Sequence, residues 1–182
     1  MEKFKDLKNK VILISGATGL IGNNLIKEYL NHEAEVYGID IDRKKINFQL
    51  NEFKKKFPRS KISLLKCDIT KENEVKKIIK HILNKSKKID TLINNAATKT
   101  KKLKNFLKSF QDFNLSDWKK IMDVNVNGAF LLSREVSKAM IRKKSGNIIS
   151  IASIQGVVGN DKSLYKSSKF QGIPMSSPAV YS

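Results

Sequence analysis

The chain is 182 residues long, 40% hydrophobic, and carries a formal net charge of +19. That length supports a domain with its own core, the apolar share excludes a disordered chain, and no apolar run approaches the ~20 residues of a membrane span. The basic residues are nearly all lysine, with arginine only at positions 43, 59, 134 and 142, whereas phosphate and base recognition favours the planar arginine fork; the charge therefore reads as a solvated lysine-rich surface, with no nucleic-acid or membrane partner expected.

The charged stretch 1–10 is followed by only four apolar residues before Ser15, too few for a signal-peptide core. A cytoplasmic protein is expected. The single cysteine, Cys67, agrees with a reducing compartment and reads as a buried thiol.

Taken in chain order, residues 11–14 form a short apolar run ending at Ser15-Gly16, the pattern of a buried strand. Leu20, Ile21, Leu25, Ile26, Tyr29 and Leu30 then recur at helical spacing. Residues 36–39 predict a second strand ending at Asp40, and Ile46, Leu50 and Phe53 a polar-faced helix that stops near Pro58. A third strand is predicted at 62–67, a helix through Val75, Ile78, Ile79, Ile82 and Leu83, and a fourth strand at 91–93 running into Asn94-Asn95-Ala96-Ala97. Residues 98–114 are polar and lysine-rich and read as a loop or insertion. A long helix is predicted from about Ser116 to Arg142, then a fifth strand at 147–151. Strands alternating with helices imply a parallel sheet covered on both faces, an α/β doubly wound Rossmann architecture. Residues 1–182 read as a single dinucleotide-binding domain. Its last stretch, 154–182, holds Gly156, Gly159, Gly172, Pro174 and Pro178 and predicts an irregular active-site segment, with the sheet incomplete at the C-terminus.

The turn Ser15-Gly16-Ala17-Thr18-Gly19-Leu20-Ile21-Gly22 sits between a strand and a helix. Glycines there allow a tight turn and let backbone N–H groups approach a pyrophosphate, which the helix dipole favours. Asp40, 18 residues after Gly22, ends the second strand. A carboxylate in that place accepts hydrogen bonds from a ribose 2′-hydroxyl and repels a 2′-phosphate, which favours NAD over NADP. Arg43 and Lys44 lie close enough in sequence to moderate that preference.

With these elements placed, the chain resembles the short-chain dehydrogenase/reductase family over essentially its whole length. Its glycines follow GxxGxxG, the spacing of the family's extended subgroup of epimerases and dehydratases, whereas the later motifs resemble the classical subgroup. Asn94-Asn95-Ala96-Ala97 is similar to the family's NNAG segment, with Ala97 in place of glycine. The resemblance implies cofactor contacts from Gly16, Thr18, Gly19, Leu20, Ile21, Gly22, Asp40, Asp68, Ile69, Asn95 and Ala96, with Asp68 at the adenine. It implies catalytic roles for Asn125, within Asp123-Val124-Asn125-Val126-Asn127-Gly128, and for Ser153, which follows the fifth strand. No metal is called for.

The implied chemistry is hydride transfer between nicotinamide and a carbonyl or alcohol. A tyrosine acts as general acid/base, and a lysine one helical turn later lowers its pKa. The serine steadies charge on the substrate oxygen, and the asparagine holds a water linked to the lysine. Two tyrosines compete. Tyr165 and Lys169 make a complete YxxxK a dozen residues after Ser153, but Gly172 and Pro174 follow at once and oppose a long helix. Tyr181 follows Pro178 and Ala179, which suit a helix start, and its partner lysine would fall beyond Ser182. The segment around Tyr181 and the insertion at 98–114 resemble family members of cell-surface sugar and flagellin modification, implying a sugar or sugar-nucleotide substrate. On this reading the chain is C-terminally truncated, and the full-length form is a homo-oligomer. The alternatives are an extended-type epimerase or dehydratase, and an inactive nucleotide-binding fragment.

Overall fold

The computed structural model describes residues 4–100, 102–158, 163, 167–170 and 172–174. Chain contacts divide them into two units, one of residues 1–96 with 127–151 and one of residues 97–126 with 152–182.

The first unit is a five-stranded parallel sheet in the order β3-β2-β1-β4-β5. In chain order its elements are β1 (Val11–Ser15), α1 (Leu20–Asn31), β2 (Glu35–Asp40), α2 (Arg43–Lys56), β3 (Ile62–Lys66), α3 (Glu72–Ser86) and β4 (Thr91–Asn94). They are completed by α6 (Ala129–Lys143) and β5 (Asn147–Ser150). Strand β1 lies at the centre and is buried along its whole length, which is why its sequence is a continuous apolar run rather than an alternating one. Ile12, Ile14, Val36, Leu64 and Ile93 form one cluster with Ile26 and Leu30 of α1 and Ile46 and Phe53 of α2. The two-residue strand period turns Leu13 and Leu92 to the opposite face. Helix α6 packs on α3 and on β4 and β5, burying Leu132, Val136, Ala139 and Met140. Among the described residues β5 forms one edge of the sheet, opposite β3, and its Ile148 and Ile149 stay 40% and 45% exposed.

The second unit contains α4 (Leu103–Phe106), α5 (Leu115–Met122) and a two-stranded antiparallel hairpin of β6 (Lys169–Phe170) and β7 (Ile173–Pro174). Three local features differ from the sequence expectation. Residues 98–114 are not wholly irregular, because α4 forms there around the buried Phe106. The expected long helix is interrupted by a π turn over Asp123–Gly128, between α5 and α6. The tail holds the short β6–β7 hairpin, whose Gly172 adopts φ +77°; glycine supplies that left-handed backbone without a Cβ penalty.

Among the described residues, no helix is long and apolar enough to cross a membrane.

Candidate functional site

The turn after β1 is built from backbone contacts that leave no room for side chains. Gly16 has φ +66°, and a Cβ on it would lie 2.8 Å from the Ala96 Cα. A Cβ on Gly22 would lie 2.3 Å from the Gly16 carbonyl oxygen, whereas one on Gly19 would meet that oxygen at 3.3 Å. Gly16 and Gly22 are therefore demanded by the approach of backbone to backbone, and Gly19 less so.

Neighbouring strand ends hold the turn in place. The Ala17 N–H donates to the Ile39 carbonyl (3.1 Å) and the Gly19 N–H to the Gly16 carbonyl (3.1 Å). The Thr18 N–H donates to Asp40 Oδ2 (2.9 Å). The other Asp40 oxygen accepts from the N–H groups of Ile41 (2.8 Å) and Asp42 (3.2 Å). Just past the end of β4, Asn95 Nδ2 donates to the carbonyls of Ser15 (2.9 Å) and Gly16 (3.2 Å). The Ser15 hydroxyl, itself 1% exposed, accepts from the N–H groups of Asn95 and Ala96, both at 3.1 Å. The expected cofactor residues Gly16, Thr18, Gly19, Gly22, Asp40, Asn95 and Ala96 are thus brought to one place at the C-terminal ends of β1, β2 and β4.

Helix α1 opens from this turn with Gly19 as its N-cap, without a side-chain cap and without an acidic residue in its first turn. Helix α2 contrasts with it: the Asp42 side chain accepts from the N–H groups of Lys44 (3.0 Å) and Lys45 (3.1 Å). The first N–H groups of any helix lack intrahelical partners. In α2 a carboxylate takes them, while in α1 they stand behind a turn lined by backbone, suited to an anion such as a pyrophosphate. Leu20 and Ile21 flank that position and are 84% and 54% exposed. The residues present therefore fit a dinucleotide.

Asp68 and Ile69 follow β3, where the Cys67 N–H donates to the Asp40 carbonyl (2.9 Å). Asp68 Oδ1 accepts from the Thr70 N–H (3.0 Å) and hydroxyl (2.7 Å), and Ile69 is buried. Cys67 is buried as expected. Removal from water, and then the negative charges of Glu74 and Asp68, push its thiol from its ordinary 9.0 up to about 12, so it is not a nucleophile at neutral pH.

The second unit carries the expected catalytic residues that the structure describes. Asn125 lies on the π turn. Its Oδ1 accepts from the Thr98 N–H (2.8 Å), and its Nδ2 donates to the Thr98 carbonyl (3.4 Å). The side chain is thereby committed to Thr98, while the π register shifts backbone carbonyls out of the α-helical ladder, a feature frequent at functional sites. Ser153 precedes a single 3-10 turn, and the Gly156 N–H donates to its carbonyl (3.1 Å). Lys169 lies on strand β6 opposite Pro174, where successive side chains alternate in direction rather than recurring one helical turn apart. Tyr165 and Tyr181 lie outside the described residues.

The sequence reading named Ser15 as the start of the turn without giving its hydroxyl a role, and it did not name Gln49. Ser15 is the hydroxyl that joins β1 to Asn95 and Ala96. Gln49 of α2 donates from Nε2 to the Thr18 carbonyl (3.1 Å). The sequence signal for Gln49 is a polar residue on the same stripe as Ile46 and Phe53.

Comparison with known proteins agrees with this geometry. A short-chain dehydrogenase reductase 3c of Arabidopsis thaliana is 30% identical over 164 residues, covering 90% of this chain and 60% of that protein. A 3-oxoacyl-acyl-carrier-protein reductase of Thermotoga maritima is 28% identical over 154 residues, covering 85% of this chain and 59% of its own length. Among solved structures, an NAD+-bound xylitol dehydrogenase superposes with a TM-score of 0.77 at 28% identity, over 86% of this chain and 57% of that one. The chain thus spans about three-fifths of the length of these relatives. The glycine turn, the strand-end aspartate and the strand order all fall within residues 10–178, the span that matches the short chain dehydrogenase profile, and the chain belongs to that family.

Proposed function

We propose that this chain carries the cofactor-binding part of an NAD-dependent oxidoreductase acting on a small carbonyl or alcohol compound, a sugar or sugar nucleotide. The observation behind this reading is the uncapped start of α1, set behind a turn in which Gly22 admits no Cβ and to which Asp40 is hydrogen-bonded. When bound, the nicotinamide supplies or accepts a hydride. The chain's own residues do the rest. The first turn of α1 binds the pyrophosphate. Asp40 accepts from the adenosine ribose, and its charge disfavours a 2′-phosphate, so NAD is preferred to NADP. Ser153 hydrogen-bonds the substrate oxygen and steadies charge developing there.

The acid/base group is Tyr181; the strand conformation of Lys169 weighs against the alternative pair Tyr165 and Lys169. A polyhydroxy substrate is supported by the likeness to a xylitol dehydrogenase solved with NAD+. The epimerase or dehydratase alternative rested on glycine spacing alone. It gains no support from relatives that are dehydrogenases and reductases.

The test is NADH titration followed by nicotinamide fluorescence, with NADPH in parallel. NADH binds more tightly than NADPH, and Asp40→Ala weakens NADH by about tenfold or more, as expected for loss of a charged hydrogen-bond acceptor. A folded wild-type chain that binds neither nucleotide overturns the reading.

A further inference from the structure

We propose that Gln49 is a positioning residue for the cofactor, holding the apex of the glycine turn so that the first N–H groups of α1 face the pyrophosphate. The inference rests on the dinucleotide reading above. Gln49 lies three residues after Ile46 and four before Phe53, both buried in the core cluster, so all three share one face of α2. An amide on that face costs desolvation unless it is bonded. Gln49 meets half of that demand. Its Nε2 donates to the Thr18 carbonyl at 3.1 Å, while its Oε1 is buried with no hydrogen-bond partner among the described residues. The amide orientation is set by the bond it makes, since only the NH2 group can donate to a carbonyl.

The bond falls where it governs the turn. Thr18 is gripped on both backbone polar atoms, its N–H by Asp40 Oδ2 (2.9 Å) and its carbonyl by Gln49. The next N–H, that of Gly19, is held by the Gly16 carbonyl (3.1 Å). Gly19 is the N-cap of α1. With these three bonds made, the N–H groups of Leu20, Ile21 and Gly22 are the next donors along the chain, and their direction follows from the plane of the Thr18–Gly19 peptide. Gln49 sets that plane from α2, and Asp40 sets the preceding one from β2. The residue that reads the ribose and the residue that aims the pyrophosphate donors thus act on the same amino acid.

A half-satisfied buried amide is unfavourable for stability, so its presence on a core-facing stripe fits a positioning role better than a packing role. That difference gives the test. Gln49→Met keeps the length and volume of the side chain and removes both the bond and the orphan oxygen. It is expected to leave Tm unchanged or raised while weakening NADH about fivefold, the size of one positioning hydrogen bond. Gln49→Glu sets a carboxylate against the Thr18 carbonyl and a negative charge near the pyrophosphate, and weakens NADH further than Met does. Thermal unfolding and NADH titration on the same preparations read both quantities. Unchanged NADH affinity in both variants overturns the inference, and so does a Met variant that loses Tm in step with affinity. A wild-type chain that does not bind NADH overturns the underlying reading instead.

Discussion

The site depends on single residues whose replacements have graded geometric consequences. A methyl group on Gly22 would sit 2.3 Å from the Gly16 carbonyl oxygen, and on Gly19 3.3 Å from it. The first cannot be accommodated without moving backbone, whereas the second needs only a few tenths of an ångström. Gly22→Ala is therefore expected to abolish NADH binding and to cost about 1–3 kcal/mol of stability. Gly19→Ala retains measurable binding, and titration of the two variants side by side checks the order. Cys67 makes a separate prediction. Its thiol stays protonated in the folded chain up to about 12, against an ordinary 9.0 when unfolded. Because the folded value is the higher one, its contribution to stability is complete below pH 9 and is lost as pH rises toward 12. At pH 8 a thiol reagent should react with Cys67 only after denaturant is added, and fast labelling of the native chain would contradict this.

At the level of elements, buried polar groups join the strands to each other and to their helices. Asn94, 6% exposed at the end of β4, donates from Nδ2 to the hydroxyls of Ser133 on α6 (2.9 Å) and Ser150 on β5 (3.3 Å). Its backbone carbonyl accepts from the Ile151 N–H (2.9 Å). Asn94→Ala removes the two hydrogen bonds by which this buried amide ties β4 to α6 and β5, and is expected to cost about 1–3 kcal/mol in urea unfolding, with the m-value unchanged. At the other end of the sheet, Tyr37 bonds both Glu35 (3.0 Å) and Ser86 (2.8 Å), and Ser86 bonds Glu35, fixing the end of α3 against β2. On the outer surface Glu72 pairs with Lys76 and with Arg134 (both 2.7 Å), linking α3 to α6. The Lys76 and Arg134 hydrogen bonds hold its carboxyl below the usual range.

For the whole molecule, the net charge of +19 sets the electrostatic background. Ion pairs such as Lys8–Glu33 and Lys55–Glu52 are exposed and contribute little each, so self-repulsion among lysines remains. Raising salt from low ionic strength to about 0.15 M shortens the screening length to ~8 Å. Tm should therefore rise over that range, which scanning calorimetry would show, and a flat or falling Tm would contradict this account. The sequence by itself determined the alternation of five strands with helices, because a buried parallel strand must be a continuous apolar run and an amphipathic helix must repeat every three to four residues. It also determined the glycine turn and the strand-end Asp40, since these are local. It could not show that Asn95 reaches back some 80 residues to Ser15 and Gly16, or that Gln49 reaches Thr18. Nor could it place the π turn at Asp123–Gly128. Periodicity reports which face of an element is buried, not which element covers it. Only the strand order β3-β2-β1-β4-β5 set β2 and β4 on either side of β1, and so decided which distant side chains would close around the turn.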